Sequence, residues 1–202
     1  MRLRFAARAA LVFGAASVAA VAACKGTVVL DEQEQGGGGA GGSLPPGCES
    51  PASTPPPYAV TFHFVNDSAE PRYLHIGCAL EMSVTSCADG YLDGLTLSGE
   101  CTVDCSDPPG SCIACGACMD FGQLVPPGGS YDQAWAGLYY TFGTLQGCSC
   151  HVEHVAPAGK YRVAVPVWVA DPTGGMAPPP TTVLTDFTLP TAGGVVTVSI
   201  GP

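Results

Sequence analysis

Basic residues are scarce in this 202-residue chain, with seven Lys and Arg against seventeen Asp and Glu. Three of the seven are Arg2, Arg4 and Arg8, so the chain from Cys24 onward sets four basic side chains against all seventeen acidic ones. Such a surface repels phosphate backbones and anionic headgroups, which excludes nucleic acid as a partner and charge-driven membrane binding. Charged residues of either sign are only 12% of the chain. No long stretch rich in Ala, Glu, Lys, Leu and Arg occurs, which disfavours helix bundles. Missing too are G-x-S-x-G, H-E-x-x-H and the P-loop, the spacings that the common nucleophile, zinc and phosphate machineries require. No catalytic residue, resident metal or cofactor is assigned on these grounds, and the chain reads as non-enzymatic.

The uncharged run Ala9 to Ala23 holds fifteen apolar or small residues, short of the roughly 20 that a membrane-crossing helix needs. Preceded by three arginines, it has the composition of an export signal. The run ends in Val21-Ala22-Ala23-Cys24, which resembles the type II signal peptides of bacterial lipoproteins. That resemblance implies cleavage before Cys24 and lipidation of its sulfur, an anchor made effectively permanent by about 0.8 kcal/mol per buried methylene. It implies a bacterial envelope address, and Lys25 in place of Asp after the cysteine implies the outer membrane.

Residues 1–23 are therefore read as signal peptide and 24–57 as a lipidated, Gly/Pro-rich tether, with Gly36 to Gly39, Pro45, Pro46 and Pro55 to Pro57. Residues 58–202 are read as one globular domain. Its first strand has period two, with Val60, Phe62 and Phe64 on one face and Thr61, His63 and Val65 on the other. Further strands are predicted at Arg72 to Ile76, Tyr91 to Leu97, Ser130 to Phe142, Tyr161 to Val169, Thr182 to Leu189 and Val195 to Ile200. Pro166 lacks a ladder donor and predicts an edge or a bulge. The last two runs, joined by Pro190 to Gly194, predict a hairpin.

Seven short strands without a helical period predict an all-β, antiparallel immunoglobulin-like sandwich with a disulfide-rich loop insertion at about 98–121. The runs Val60 to Ser68, Val125-Pro126-Pro127-Gly128-Gly129-Ser130 up to Trp135, and Ala158-Gly159-Lys160-Tyr161-Arg162-Val163 are similar to bacterial immunoglobulin-like modules related to intracellular proteinase inhibitors. The resemblance spans about half the domain and implies the fold. It also raises inhibition as a secondary function, but seven cysteines between 78 and 118 depart from that family's pattern.

Eleven cysteines less Cys24 leave an even ten: Cys48, Cys78, Cys87, Cys101, Cys105, Cys112, Cys115, Cys118, Cys148 and Cys150. In an exported chain these predict five disulfides stapling the insertion to its neighbours, with Cys48 pinned back onto the domain. Cys112-x2-Cys115-x2-Cys118 matches three ligands of a ferredoxin cluster, but Gly122 stands where the fourth would fall. The alternative is zinc or copper held by Cys148, Cys150, His151 and His154. Asp89, Asp93, Glu100, Asp104 and Asp107 lack EF-hand order and read as a solvated acidic loop. The partners expected are the membrane, through the lipid, and a protein or polymer met by the anionic insertion.

Overall fold

The computed structural model describes residues 45–52, 54–107 and 110–201. The signal peptide, Cys24 and the tether as far as residue 44 lie outside them. Twelve strands form: β1 Val60–Val65, β2 Arg72–Ile76, β3 Ser83–Ser86, β4 Gly94–Leu95, β5 Val103–Asp104, β6 Phe121–Val125, β7 Ser130–Trp135, β8 Leu138–Leu145, β9 Cys148–Val155, β10 Gly159–Val167, β11 Thr181–Leu189 and β12 Val195–Ser199. Among the described residues the only helical elements are three short 3-10 turns. The molecule is all-β.

Two layers face each other. One has the order β12-β1-β7 and the other β11-β10-β3-β4. The expected face of β1 is the buried one, and it meets the alternate residues Tyr161, Val163, Val165 and Val167 of β10. At the centre Phe62 stacks on Trp135 at 6.2 Å and meets the Phe187 edge at 5.4 Å, while Tyr161 stacks on Phe187 at 5.7 Å. Burying each such side chain contributes roughly 1.5–3 kcal/mol. The polar ends of the two larger rings are satisfied: Trp135 Nε1 donates to Leu138 O at 2.7 Å and Tyr161 Oη to Pro157 O at 2.8 Å. Burial pushes the Tyr161 phenol far above its ordinary value.

Several expectations are corrected. β11 and β12 do not form a hairpin: β11 pairs antiparallel with β10, whereas β12 pairs parallel with β1 in the other layer. Residues 190–194 carry the chain between layers, so the turn residues there mark a crossing. The predicted strand Ser130 to Phe142 is two strands, broken at Gly137, whose φ of +74° and close approach to the Tyr58 backbone exclude a side chain. Tyr91 to Leu97 supplies only two strand residues. Val169 lies beyond the end of β10 and is 54% exposed.

Pro166 is in a central strand, yet nothing is lost there. β3 covers β10 only from Tyr161 to Ala164, and the next neighbour is Tyr73, which exchanges hydrogen bonds of 2.9 and 3.0 Å with Trp168. The missing N–H of Pro166 falls at the seam between them. Through that bridge the β2-β6 pair extends the second layer and adds Leu74 and Val125 to the core.

Asn66 is the one fully buried polar side chain among the described residues. It ends β1 by hydrogen bonding, its amide donating to Glu70 O at 2.8 Å and Val125 O at 2.9 Å and its carbonyl accepting from Ser68.

Candidate functional site

A third, smaller sheet, β5-β9-β8, carries the insertion. The β8-β9 hairpin turns at Gln146-Gly147, both with positive φ, the geometry of a two-residue primed turn. β5 joins its outer edge in parallel, with Cys105 N–H donating to His151 O at 2.9 Å. Between Asp107 and β6 no described residue is in regular structure, and every described residue from 110 to 121 is exposed. Such a strap has no apolar core to fold around, so its position is set covalently.

Four disulfides form among the described residues, three of them holding the insertion: Cys48–Cys87, Cys78–Cys118, Cys105–Cys150 and Cys112–Cys148, with Cα separations of 5.4, 4.8, 5.0 and 5.1 Å, all within the ordinary span. Two fix the insertion to β9, one fixes its far end beside β2, and Cys48–Cys87 draws the tether onto the domain. There the Cys48 carbonyl also accepts from Lys160 N–H at 3.1 Å. The expected fifth bond is absent. Cys101 and Cys115 are thiols, the first half-buried and the second exposed.

The proposed zinc or copper ligands do not assemble. Cys148 and Cys150 are spent in disulfides, and His151 and His154, three apart on one strand, point to opposite faces. His151 Nδ1 bonds the Thr102 hydroxyl at 2.7 Å, and His154 stacks on Tyr139 with its Nε2 2.8 Å from Thr141 Oγ1. Among the described residues no three His, Cys, Asp or Glu side chains are grouped to hold an ion, which covers the acidic loop as well.

Glu100, Asp104, Asp107 and Asp120 are all exposed, but they are not equivalent. Asp104 accepts from the Ser106 backbone N–H at 2.7 Å, and that bond, helped by the Ser106 hydroxyl, holds its carboxyl below the usual range. Asp120 is engaged: it and Glu81 flank His75, Glu81 Oε2 at 2.7 Å from Nδ1 and Asp120 at Nε2. The Glu81 and Asp120 hydrogen bonds raise the His75 pKa against a smaller opposing effect of burial, and the ring lies edge-on to Trp168 at 5.8 Å. Asp120 is 45 residues from His75, so the cluster carries no motif, and sequence reasoning missed it. His63 faces outward on β1 and meets Asp132 across the β1-β7 ladder at 2.5 Å.

Between β7, the start of β8 and the segments around Leu80 and Leu95 lies an open groove of about 390 Å³ lined by Leu80, Leu95, Leu97, Trp135, Leu138 and Tyr140 among others. Its lining brings no pair of titratable side chains together, so it offers a surface and no acid–base machinery. Comparison with protein-family models, with curated proteins and with solved structures finds no match.

Proposed function

We propose that this chain is a lipid-anchored, non-enzymatic module of the bacterial envelope or surface, held by Cys24, and that its stapled strap binds a basic partner. One observation carries the binding reading: residues 110–120 are exposed throughout and yet tied at Cys112 and Cys118 to two different parts of the fold. A segment already fixed loses little entropy on contact, which is why rigid loops on β scaffolds serve recognition. The carboxylates of Glu100, Asp104 and Asp107 give that contact its sign. Two core features support an immunoglobulin-like classification: the buried Trp135, and Tyr161 bonding the backbone four residues upstream near the start of β10.

The test separates address from activity. Cys24→Ser should abolish incorporation of labelled fatty acid, and retained labelling would refute the anchor. Glu100→Gln, Asp104→Asn and Asp107→Asn together, with Asp120 kept because it pairs with His75, should leave the denaturation midpoint unchanged. They should reduce capture by a polylysine matrix and lower the salt concentration that releases the protein. Undiminished capture would make the strap a structural insert.

A further inference from the structure

Cys101 and Cys115 are left over from an otherwise oxidised set, and they are neighbours. Cys115 Sγ lies 3.8 Å from the Cys101 carbonyl oxygen. A hydrogen bond between the two side chains, with a smaller contribution from desolvation, holds the Cys101 thiol above its ordinary value. Cys101 stands at φ +64°, a left-handed conformation that a residue with a Cβ adopts at some cost. It directly precedes the segment that joins β9, whereas Cys115 sits mid-strap, three residues from each of the bonded Cys112 and Cys118.

We propose that Cys101 and Cys115 are a reversible fifth cross-link, closed and opened by exchange with a low-molecular-weight disulfide of the glutathione type while the other four bonds persist. Cys115, the exposed sulfur, loses its proton to solvent and attacks one sulfur of the incoming disulfide. That S–S bond breaks, one thiolate leaves and takes up a proton, and Cys115 is held in a mixed disulfide. Cys101 then attacks the Cys115 sulfur, releases its own proton and expels the second thiol. Two protein thiols are oxidised by two electrons and one disulfide is reduced to two thiols; excess thiol runs the steps backwards. Closure ties the middle of the strap to the segment leading into β5, and opening leaves it fixed only at Cys112 and Cys118. A strained backbone beside an exposed sulfur is the feature of a readily reduced disulfide, and among the described cysteines only Cys101 stands at positive φ. Cys78 and Cys118 are exposed without that strain, and the other three bonds each have one buried partner, Cys48, Cys148 or Cys150.

The full chain is equilibrated in glutathione buffers from fully reduced to fully oxidised, quenched in acid, and tagged with a maleimide. Cleavage after acidic residues isolates Cys101 between Glu100 and Asp104, while the peptide ending at Asp120 also holds Cys112 and Cys118, so fragment-ion sequencing places the tag on Cys115. Both sites should be tagged at the reduced end and neither at the oxidised end, with the eight bonded cysteines untagged throughout. In Cys101→Ser a glutathione adduct should accumulate on Cys115, and Cys115→Ser should give at least tenfold less adduct on Cys101. Tags on both residues at every buffer ratio would overturn the proposal. So would a bond that opens only together with the other four, or an adduct that prefers Cys101.

Discussion

Cys105–Cys150 and Cys112–Cys148 are nested, and that arrangement sets what each contributes to stability. Alone, either bond would close a loop spanning 45 or 36 residues, a constraint on the unfolded chain of about 4 kcal/mol in the chain-entropy account. With one bond in place the second closes a far smaller ring, from 105 to 112 and back from 148 to 150. That ring, of about eleven residues, corresponds to only about 2.8 kcal/mol. The Cys105→Ala, Cys150→Ala pair and the Cys112→Ala, Cys148→Ala pair should therefore each cost about 2.8 kcal/mol. Removing all four cysteines should cost about 6.7 kcal/mol, roughly 1 kcal/mol more than the two losses added. Guanidinium unfolding followed by Trp fluorescence reads the three values, since Trp135 is in the core. Strict additivity, or a combined loss smaller than the sum, would refute the nested-ring reasoning.

Asn66→Ala should cost about 1–3 kcal/mol in urea unfolding, because it strips donors from two carbonyls and at Val125 leaves a buried acceptor unpaired. Asn66→Asp should cost more at neutral pH, since a carboxylate would then face those carbonyls, and a smaller loss than for alanine would contradict the bonding described. The His75 pKa is raised on folding, so its ion pairs with Glu81 and Asp120 stabilise fully below the ordinary histidine value of about 6.5 and fade as pH rises through the folded value. His75→Gln should lower the urea midpoint at pH 5.5 and approach the parent midpoint above pH 8; a difference constant across that range would show that the carboxylates do not act through the protonated ring.

The buried faces of β1 and β10 were legible because Val60, Phe62 and Phe64, and Tyr161, Val163 and Val165, alternate without interruption. Alternation names a face and not a neighbour. Val196 and Val198 give β12 the same signature, and nothing in it distinguishes a hairpin with β11 from a parallel pairing with β1 in the opposite layer. β9 escaped notice for a different reason. Its inward positions are Cys148 and Cys150, and with Ser, His and Glu between and after them the run reads as a polar loop. Their burial comes from disulfides formed with a distant segment. The same holds for Asp120, which strand pairing and the Cys78–Cys118 bond bring to His75 and Glu81 from a distant segment.

The third sheet obeys different energetics from the two layers. In β8 no residue is buried, and in β9 only Cys148 and Cys150 are, so outside its disulfides the hairpin has little apolar burial to resist opening. Its base differs from its tip: Tyr139 packs against the core cluster, and Ala156, just beyond β9, is buried with its N–H bonded to Gly137 O at 2.8 Å. Local opening should therefore begin at Gln146-Gly147 and be resisted toward Leu138 and Val155. Native-state hydrogen exchange of the oxidised protein should rank hydrogen-bonded amides of β1 and β10 near the global unfolding free energy. Those near Thr144 and Ser149 should open at several kcal/mol less, with values rising steadily toward Tyr139 and His154. A flat profile along the hairpin, as protected as β10, would mean that the two disulfides have bound this sheet into the cooperative unit of the core, and the proposed separation between layers and appendage would fall.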